Sequence, residues 1–288
     1  MHEATLYVVA TPIGNLRDIS ERAIEVLGRV DVIAAEDTRH SGQLLHKLGV
    51  SKPMFSYHEH NEQGRGRQLV EKLQAGQSIA LISDAGTPLI SDPGYQLVRT
   101  CRLRGIPVVS VPGPSALIAA LSVSGLPTDR FSFEGFLPRT PGKRRALLER
   151  LVDDSRTLVF YESSHRIPHA LEDLRQIFGG DREAAIAREL TKRFETLLAG
   201  TLDALHAGVS QDVNQQKGEF VLMVAGRRDD DASMPDLGRV EARRLMRVLL
   251  DELPAGKAAA IAAELLGGRK KAYYRLALEL KGDAGDRA

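Results

Sequence analysis

The chain has 288 residues, 43% of them hydrophobic and 27% charged, which is enough apolar surface for sizeable cores and excludes a disordered-class composition. Its formal net charge of +1 excludes a protein that is basic all over, so any nucleic-acid binding has to come from local basic patches. The single cysteine, Cys101, excludes disulfide frameworks and thiolate metal sites and reads as a small buried apolar residue.

The opening MHEATLYVVATP has no charged leader before a long apolar core, and no run of about 18 apolar residues follows. The expectation is a soluble, cytoplasmic protein with no membrane partner. From Leu6 to about Val123, short β-branched runs alternate with amphipathic ones: LYVVAT then SERAIEVLGRV, DVIAAE then HSGQLLHKLG, IALIS then GYQLVRTCRLRG, PVVSVPG then SALIAALSVS. Apolar strands with little polar alternation, spaced by helices, predict a mainly parallel sheet covered on both faces, one doubly wound α/β domain over residues 1–125. The stretch VVATPIGNLRDIS ends a strand in a Pro–Gly turn and then starts a helix, supported by Asp18 and Glu21, an arrangement that brings backbone N–H groups to a ligand. The turn is neither G-x-G-x-x-G nor G-x-x-x-x-G-K-S/T, so it points to a cofactor other than a dinucleotide or a P-loop nucleotide.

A second series, FSFEGFLP, TLVFYESS, the helix HRIPHALEDLRQIFG, AAIARE, FETLLAG and GEFVLMVAG, has some hairpin-length links and predicts a mixed sheet in a second α/β domain at 126–228. RRDDDASMPDLG supplies a polar linker, placed at 229–238. VEARRLMRVLLDEL, GKAAAIAAELLG and RKKAYYRLALEL predict a small helical domain at 239–288 with helix-turn-helix-like packing.

Ligands of a parallel sheet gather beyond the carboxyl ends of its strands. Here those places hold ATPIGN, AEDTRHS, SYHEHN, SDAGTPLISDPG and VPGPSA, loops whose glycines, prolines, hydroxyls and carboxylates are ordinary singly and unusual together. His58 and His60 flank Glu59, but the trio lacks helical i, i+4 ligand spacing, and no metal is expected.

Together VATPIGNLRDIS, AEDTRHS, ISDAGTPLISDPG, VPGPSA, FYESSHRI, ARELTKRFE and GEFVLMVAG resemble the tetrapyrrole-methylase superfamily. The resemblance is strongest to its branch that methylates the ribose 2′-OH of a cytidine in the decoding region of 16S rRNA. It implies two α/β domains with S-adenosylmethionine in the cleft between them, a C-terminal helical domain, a homodimer, and the 16S rRNA of the small ribosomal subunit as partner. Carried over by position, the cofactor would be met by Pro12, Ile13 and Gly14 of the first loop and by Asp84, Gly86, Thr87, Pro88 and Ile90 of the second. Ser115 and Ala116 follow in the third loop, with Tyr161, Glu162 and Leu190 on the second domain.

Methyl transfer from a sulfonium needs alignment, exclusion of water and a base for the ribose hydroxyl. Glu36, Asp37, His58, Asp84 and Lys192 are the candidates, with Asp37 and His58 ranked first as base or orienter and Arg39 and Lys192 as phosphate or ribose contacts. RNA contacts are expected from Arg139, Lys143, Arg144 and Arg145 in RTPGKRR and from Lys270 and Lys271 in GRKKAYYR. Tyr273 and Tyr274 beside the last pair could stack on bases, although a three-helix core accounts for them better. Two other readings are kept: the same fold acting on a tetrapyrrole or other small molecule, and a nucleic-acid-binding regulator using the helical tail.

Overall fold

The computed structural model describes residues 4–58, 61–227, 239–267 and 270–285. The linker expected at 229–238, and Glu59 and His60, lie outside the described residues. The chain divides into two compact units, Met1–Leu147 with Thr157–Val224 and Leu148–Arg156 with Ala225–Ala288.

The first unit holds two five-stranded sheets. Strands β1 (Leu6–Val9), β2 (Val32–Ala35), β3 (Met54–Ser56), β4 (Ile79–Ile82) and β5 (Val108–Val111) are all parallel, in the order β3-β2-β4-β1-β5. Between them run helices α1 (Glu21–Arg29), α2 (Thr38–Lys47), α3 (Glu62–Gln74) and α4 (Tyr95–Leu103), and α5 (Ala116–Val123) follows β5. The apolar runs have a plain cause. Leu6, Ala34, Ile79 and Leu81 pack against Leu69, Leu73 and Leu97 of α3 and α4, while Val9, Ile33, Ala80 and Ile82 pack against Ala23, Val26, Leu27 and Leu45 of α1 and α2. Alternate side chains of one strand enter opposite cores, so both sets have to be apolar. Cys101 sits fully buried in the α4 side of this packing, as expected.

The second sheet comprises β6 (Phe131–Phe136), β7 (Thr157–Ser163), β8 (Glu183–Arg188), β9 (Thr196–Thr201) and β10 (Glu219–Val224), in the order β6-β7-β10-β8-β9. Only β6 and β7 are parallel and the other pairs are antiparallel, which is the mixed sheet the hairpin-length links predicted. Helices α6 (Pro141–Leu151), α7 (Ile167–Phe178) and α8 (Leu202–Gln211) accompany it. The alternation read from the sequence omitted α3, α6 and α8, whose apolar positions are interrupted by glycines and charges. Leu117, Ala120 and Leu121 of α5 share a core with Val159, Ala185, Ala187, Val221 and Met223 of the second sheet. The last helix of the first series is therefore also packing for the second, and this ties the two sheets together.

In the second unit, α9 (Arg239–Glu252), α10 (Ala255–Leu266) and α11 (Lys270–Gly285) enclose Ala242, Met246, Ala258, Ala259, Ala262, Tyr273 and Leu276. Alanines at the contacts let the helices approach closely. Tyr273 is fully buried and its Oη donates to the Gly267 carbonyl at 2.7 Å, a core role, whereas Tyr274 is 42% exposed. Among the described residues no helix is long and apolar enough to cross a membrane.

Candidate cofactor and substrate site

The carboxyl ends of five parallel strands meet along one edge of the first sheet, and the loops there are laced to one another. Thr11 and Gly86 exchange backbone hydrogen bonds of 2.9 and 3.1 Å, and the Thr11 hydroxyl donates to the Ser83 carbonyl at 3.2 Å. Thr87 Oγ1 donates to the Pro114 carbonyl at 3.0 Å, tying the second loop to the third. A Cβ on Gly113 would lie 3.0 Å from the Ala10 Cβ, so glycine lets the third loop pass β1 this closely without displacing it. The first turn thus braces its neighbours. It does not feed α1 directly: a 3-10 turn at Leu16–Asp18 intervenes, and the cap of α1 is Ser20, whose Oγ accepts from the Ala23 N–H at 3.1 Å, not the Asp18–Glu21 pair.

Against these loops lies a cavity of about 430 Å³. Nine of the residues predicted for the cofactor line it: Ile13, Gly86, Thr87, Ile90, Ser115 and Ala116 from the first sheet's loops, and Tyr161, Glu162 and Leu190 from the second sheet. Pro12, Gly14, Asp84 and Pro88 do not line it. Gly14 has another task, since a Cβ there would fall 2.5 Å from Lys192 Cγ. The lining also contains Asp92, Phe136, Gly218 and Val221, which the sequence reading missed. Asp92 could have been found, since it stands in the quoted ISDPG, but the inward face of β10 depends on sheet order.

Backbone strain marks the same cavity. Among the described residues the positive φ angles of non-glycine residues fall at Leu89 (74°), Ser91 (66°), Glu189 (50°) and Thr191 (64°), two pairs that flank Ile90 and Leu190 on its opposite walls. Such conformations cost about 1–3 kcal/mol each and persist where the surrounding structure enforces them.

Tyr161 Oη accepts the Leu117 N–H at 3.2 Å and so caps α5, where Ser115 makes no side-chain cap. Its ring meets those of Phe133 and Phe136 edge-on at 4.8 and 5.5 Å. Beside it Glu162 is buried. Its Oε1 accepts the Ser163 N–H at 2.7 Å and pairs with Arg166 at 2.6 Å. Its Oε2 has no hydrogen-bond partner among the described residues. Burial pushes the Glu162 carboxyl up, against the opposing pull of the Ser163 amide, Arg166 and Arg144.

The structure separates the candidate bases. Asp37 caps α2: its Oδ1 accepts from Arg39 N at 2.7 Å and His40 N at 3.3 Å, and these bonds hold its carboxyl below the usual range. A capping carboxylate with lowered proton affinity is a poor base, which corrects the expectation for Asp37. Asp84 Oδ1 is engaged by the Asp37 N–H at 3.1 Å. His58 sits outside the cavity lining, with its N–H on Asn61 Oδ1 at 2.9 Å. Lys192 is a strut. Its Nζ pairs with Glu189 at 2.9 Å and Glu219 at 2.8 Å, and although burial opposes it, the two carboxylates raise its proton affinity, so it acts neither as base nor as a free phosphate contact. Asp92 behaves differently. Burial pushes its carboxyl up to about 6, with the Ser83 hydroxyl pulling down and Asp84 pushing up. Burial, Asp92, Asp84 and Asp37 raise the neighbouring Glu36, while the Asp84 backbone pulls it down, but Glu36 does not line the cavity.

Of the residues predicted to touch RNA, Arg39, Arg139, Lys143, Lys270 and Lys271 are exposed. Arg145 is half exposed while its Nε holds Asp173 at 2.7 Å. Arg144 is a correction, because its guanidinium is buried against Asp173 at 2.6 Å with side-chain exposures of 4% and 3%.

Residues 5–206 match the family of tetrapyrrole (corrin/porphyrin) methylases. The chain belongs to that family. Residues 236–281 match the RsmI C-terminal HTH domain. Ribosomal RNA small subunit methyltransferase I of Xylella fastidiosa (strain Temecula1) is 54% identical over 94% of this chain and 97% of that protein. The protein of the same name from Escherichia coli O157:H7 is 52% identical over 97% and 96%. Among solved structures, uroporphyrin-III-C-methyltransferase from Thermus thermophilus aligns with a TM-score of 0.53 at 20% identity, covering 77% of this chain and 94% of its own, a likeness of methylase fold alone.

Proposed function

We propose that this chain transfers the methyl group of S-adenosylmethionine to the 2′-hydroxyl of a cytidine in the decoding region of 16S rRNA, acting in the cytoplasm on the small ribosomal subunit and as a homodimer. The observation that carries the reading is the cavity of about 430 Å³ with the unpartnered, buried Glu162 Oε2 on its wall. Its size falls in the range of cofactor sites. A buried acceptor without a donor fits the hydroxyl or ammonium groups of S-adenosylmethionine, since leaving it unmatched costs about 1–3 kcal/mol. Two relatives named ribosomal RNA small subunit methyltransferase I, matched over nearly their whole length, support the rRNA substrate.

When bound, S-adenosylmethionine supplies an electrophilic methyl carbon. Ile13, Ile90, Leu190 and Phe136 on the cavity wall would shield it from water, and the Glu162 carboxylate would hold it by accepting a hydrogen bond from its polar end. Asp92 lines the same cavity, and its carboxylate would accept a hydrogen bond from the acceptor ribose hydroxyl and take up its proton. Arg39, Arg139, Lys143, Arg145, Lys270 and Lys271 are retained as surface contacts to RNA.

Replacing Glu162 by Gln keeps the shape and removes the charge. Calorimetry should then show S-adenosylmethionine affinity weakened about 10- to 100-fold, the worth of one charge-assisted hydrogen bond; an unchanged Kd would remove Glu162 from the binding set. The reading as a whole is tested by tritiated methyl transfer to 30S subunits and to naked 16S rRNA. Label at one nucleotide that resists alkaline cleavage is the expected result. No label on either RNA, despite measurable cofactor binding, would turn the assignment to a tetrapyrrole or other small acceptor.

A further inference from the structure

A second cavity, of about 1040 Å³, lies in the groove between α3 and α4, on the outer side of the first sheet. Its walls carry Arg65 and Arg67 from α3 and Arg104 just beyond α4, together with the neutral donors Asn61, Gln68 and Gln96. Arg65 lies over the Phe55 ring at 4.8 Å and donates to Gln68 Oε1 at 3.2 Å. Arg104 donates to Gln74 Oε1 at 3.3 Å. Among the described residues no carboxylate pairs with Arg65, Arg67 or Arg104. The structural arginines differ: Arg144, Arg166 and Arg175 each hold a carboxylate.

The one carboxylate in the groove wall is already engaged. Glu62 Oε1 accepts from Tyr57 Oη at 2.9 Å and from the Gly94 N–H at 3.1 Å. Residues 62–74 and 95–104 together carry six Lys and Arg against two Glu, in a chain whose formal net charge is only +1. The two helices of the groove therefore carry a local excess of positive charge although the chain as a whole is nearly neutral. Guanidiniums with free donor edges, spaced along a polar groove, match successive phosphates of a nucleic-acid backbone. Glu62 also joins the groove to the chemistry, because Gly94, which it holds, is two residues from Asp92.

We propose that the α3–α4 groove binds the sugar-phosphate backbone of the substrate RNA through Arg65, Arg67 and Arg104. The inference rests on the rRNA reading above. It would let one strand be held on the outer face of the first sheet while its acceptor ribose reaches the loops at the strand ends. The contacts are to phosphate, so they position without reading sequence.

The test is filter binding of full-length protein to transcribed 16S rRNA across a salt series, for the wild type and for Arg65→Gln/Arg67→Gln/Arg104→Gln. Each lost phosphate contact should reduce the slope of log K against log salt by about 0.7–0.9. The triple variant should therefore lose about two units of slope and at least about tenfold in affinity near 0.1 M salt, with Tm and S-adenosylmethionine binding unchanged. Replacement of all three by Lys should restore most of the slope. Wild-type slope and affinity in the Gln variant would overturn the groove while leaving the rRNA reading intact. Failure of the wild type to bind rRNA would overturn both. Tight binding of inorganic phosphate or CMP that is lost in the triple variant, with the RNA slope unchanged, would make the groove a small-anion site and overturn it as an RNA path.

Discussion

Replacing Asp92 by Asn is expected to lower the turnover of methyl transfer by at least about a hundredfold, within the range that a positioned general base contributes, while S-adenosylmethionine binding stays within about threefold. The reason is the contrast between two aspartates at strand ends. Asp37 is exposed and its Oδ1 accepts from two α2 amides, so it holds a proton weakly. Asp92 is half-buried on the cavity wall, and burial and Asp84 raise it to about 6 despite the Ser83 hydroxyl. A base with a pKa near the working pH combines availability with proton affinity. Wild-type turnover should therefore rise with pH through about 6 and level off above it, because the carboxylate is the active form, and the residual activity of Asp92→Asn should lack that step.

Stability should move the other way. The folded pKa of Asp92 lies above its ordinary 3.8, so between those values the folded state binds more protons than the unfolded one, and the contribution is lost as pH rises through the window. At pH 8 the buried charge costs on the order of 1 kcal/mol after allowance for solvent screening, and Asp92→Asn should raise Tm by about 2–4 °C. Calorimetric melts at about pH 3 and at pH 8 check this, since the gain should be absent below the ordinary 3.8, grow through the window and be complete above about 6. Equal turnover and an unchanged pH profile in Asp92→Asn would remove Asp92 as the base, whatever its effect on Tm.

Asp173→Ala is expected to cause the largest loss of stability, about 3–5 kcal/mol or roughly 10 °C in Tm, because it leaves the Arg144 guanidinium buried and uncompensated. Asp173 on α7 is the hub of two arginines from α6, with Arg144 Nε and Arg145 Nε on its two oxygens at 2.7 Å each. Arg144→Gln should likewise lower Tm while leaving the rRNA affinity of the folded protein within about twofold. The reverse pattern, lost RNA affinity at wild-type Tm, would restore Arg144 as an RNA contact. Arg144→Met combined with Asp173→Leu should recover part of the loss, since a buried ion pair is often replaceable by well-packed apolar residues.

Much of the fold was legible because its causes are local. LYVV, VIAA and IALI are apolar at every position, and a strand with no polar face has to be covered on both sides. The ligand edge followed from the parallel direction of those strands, and nine of the positions expected to meet the cofactor line one cavity. What escaped were features whose causes lie far along the chain. Phe136 and Val221 reach the cavity by the placement of β6 and β10 in the second sheet, and Gly14 leaves room for the Lys192 side chain.

By itself, then, the sequence determined the parallel sheet, the mixed second sheet, the three-helix tail and the loops that border the site, because propensity, apolar pattern and turn chemistry act within a few residues. Only the tertiary structure decided what each charged residue does. In KRR one arginine is buried and its neighbour half exposed because successive helical positions turn about 100° apart, and the buried one is stable there only because Asp173, 29 residues on, arrives beside it. Asp37 and Asp92 are the same residue type in the same kind of loop. One became a cap and the other a base candidate through which amides, carboxylates and apolar walls the fold placed around them, since proton affinity is set by surroundings and not by the side chain alone.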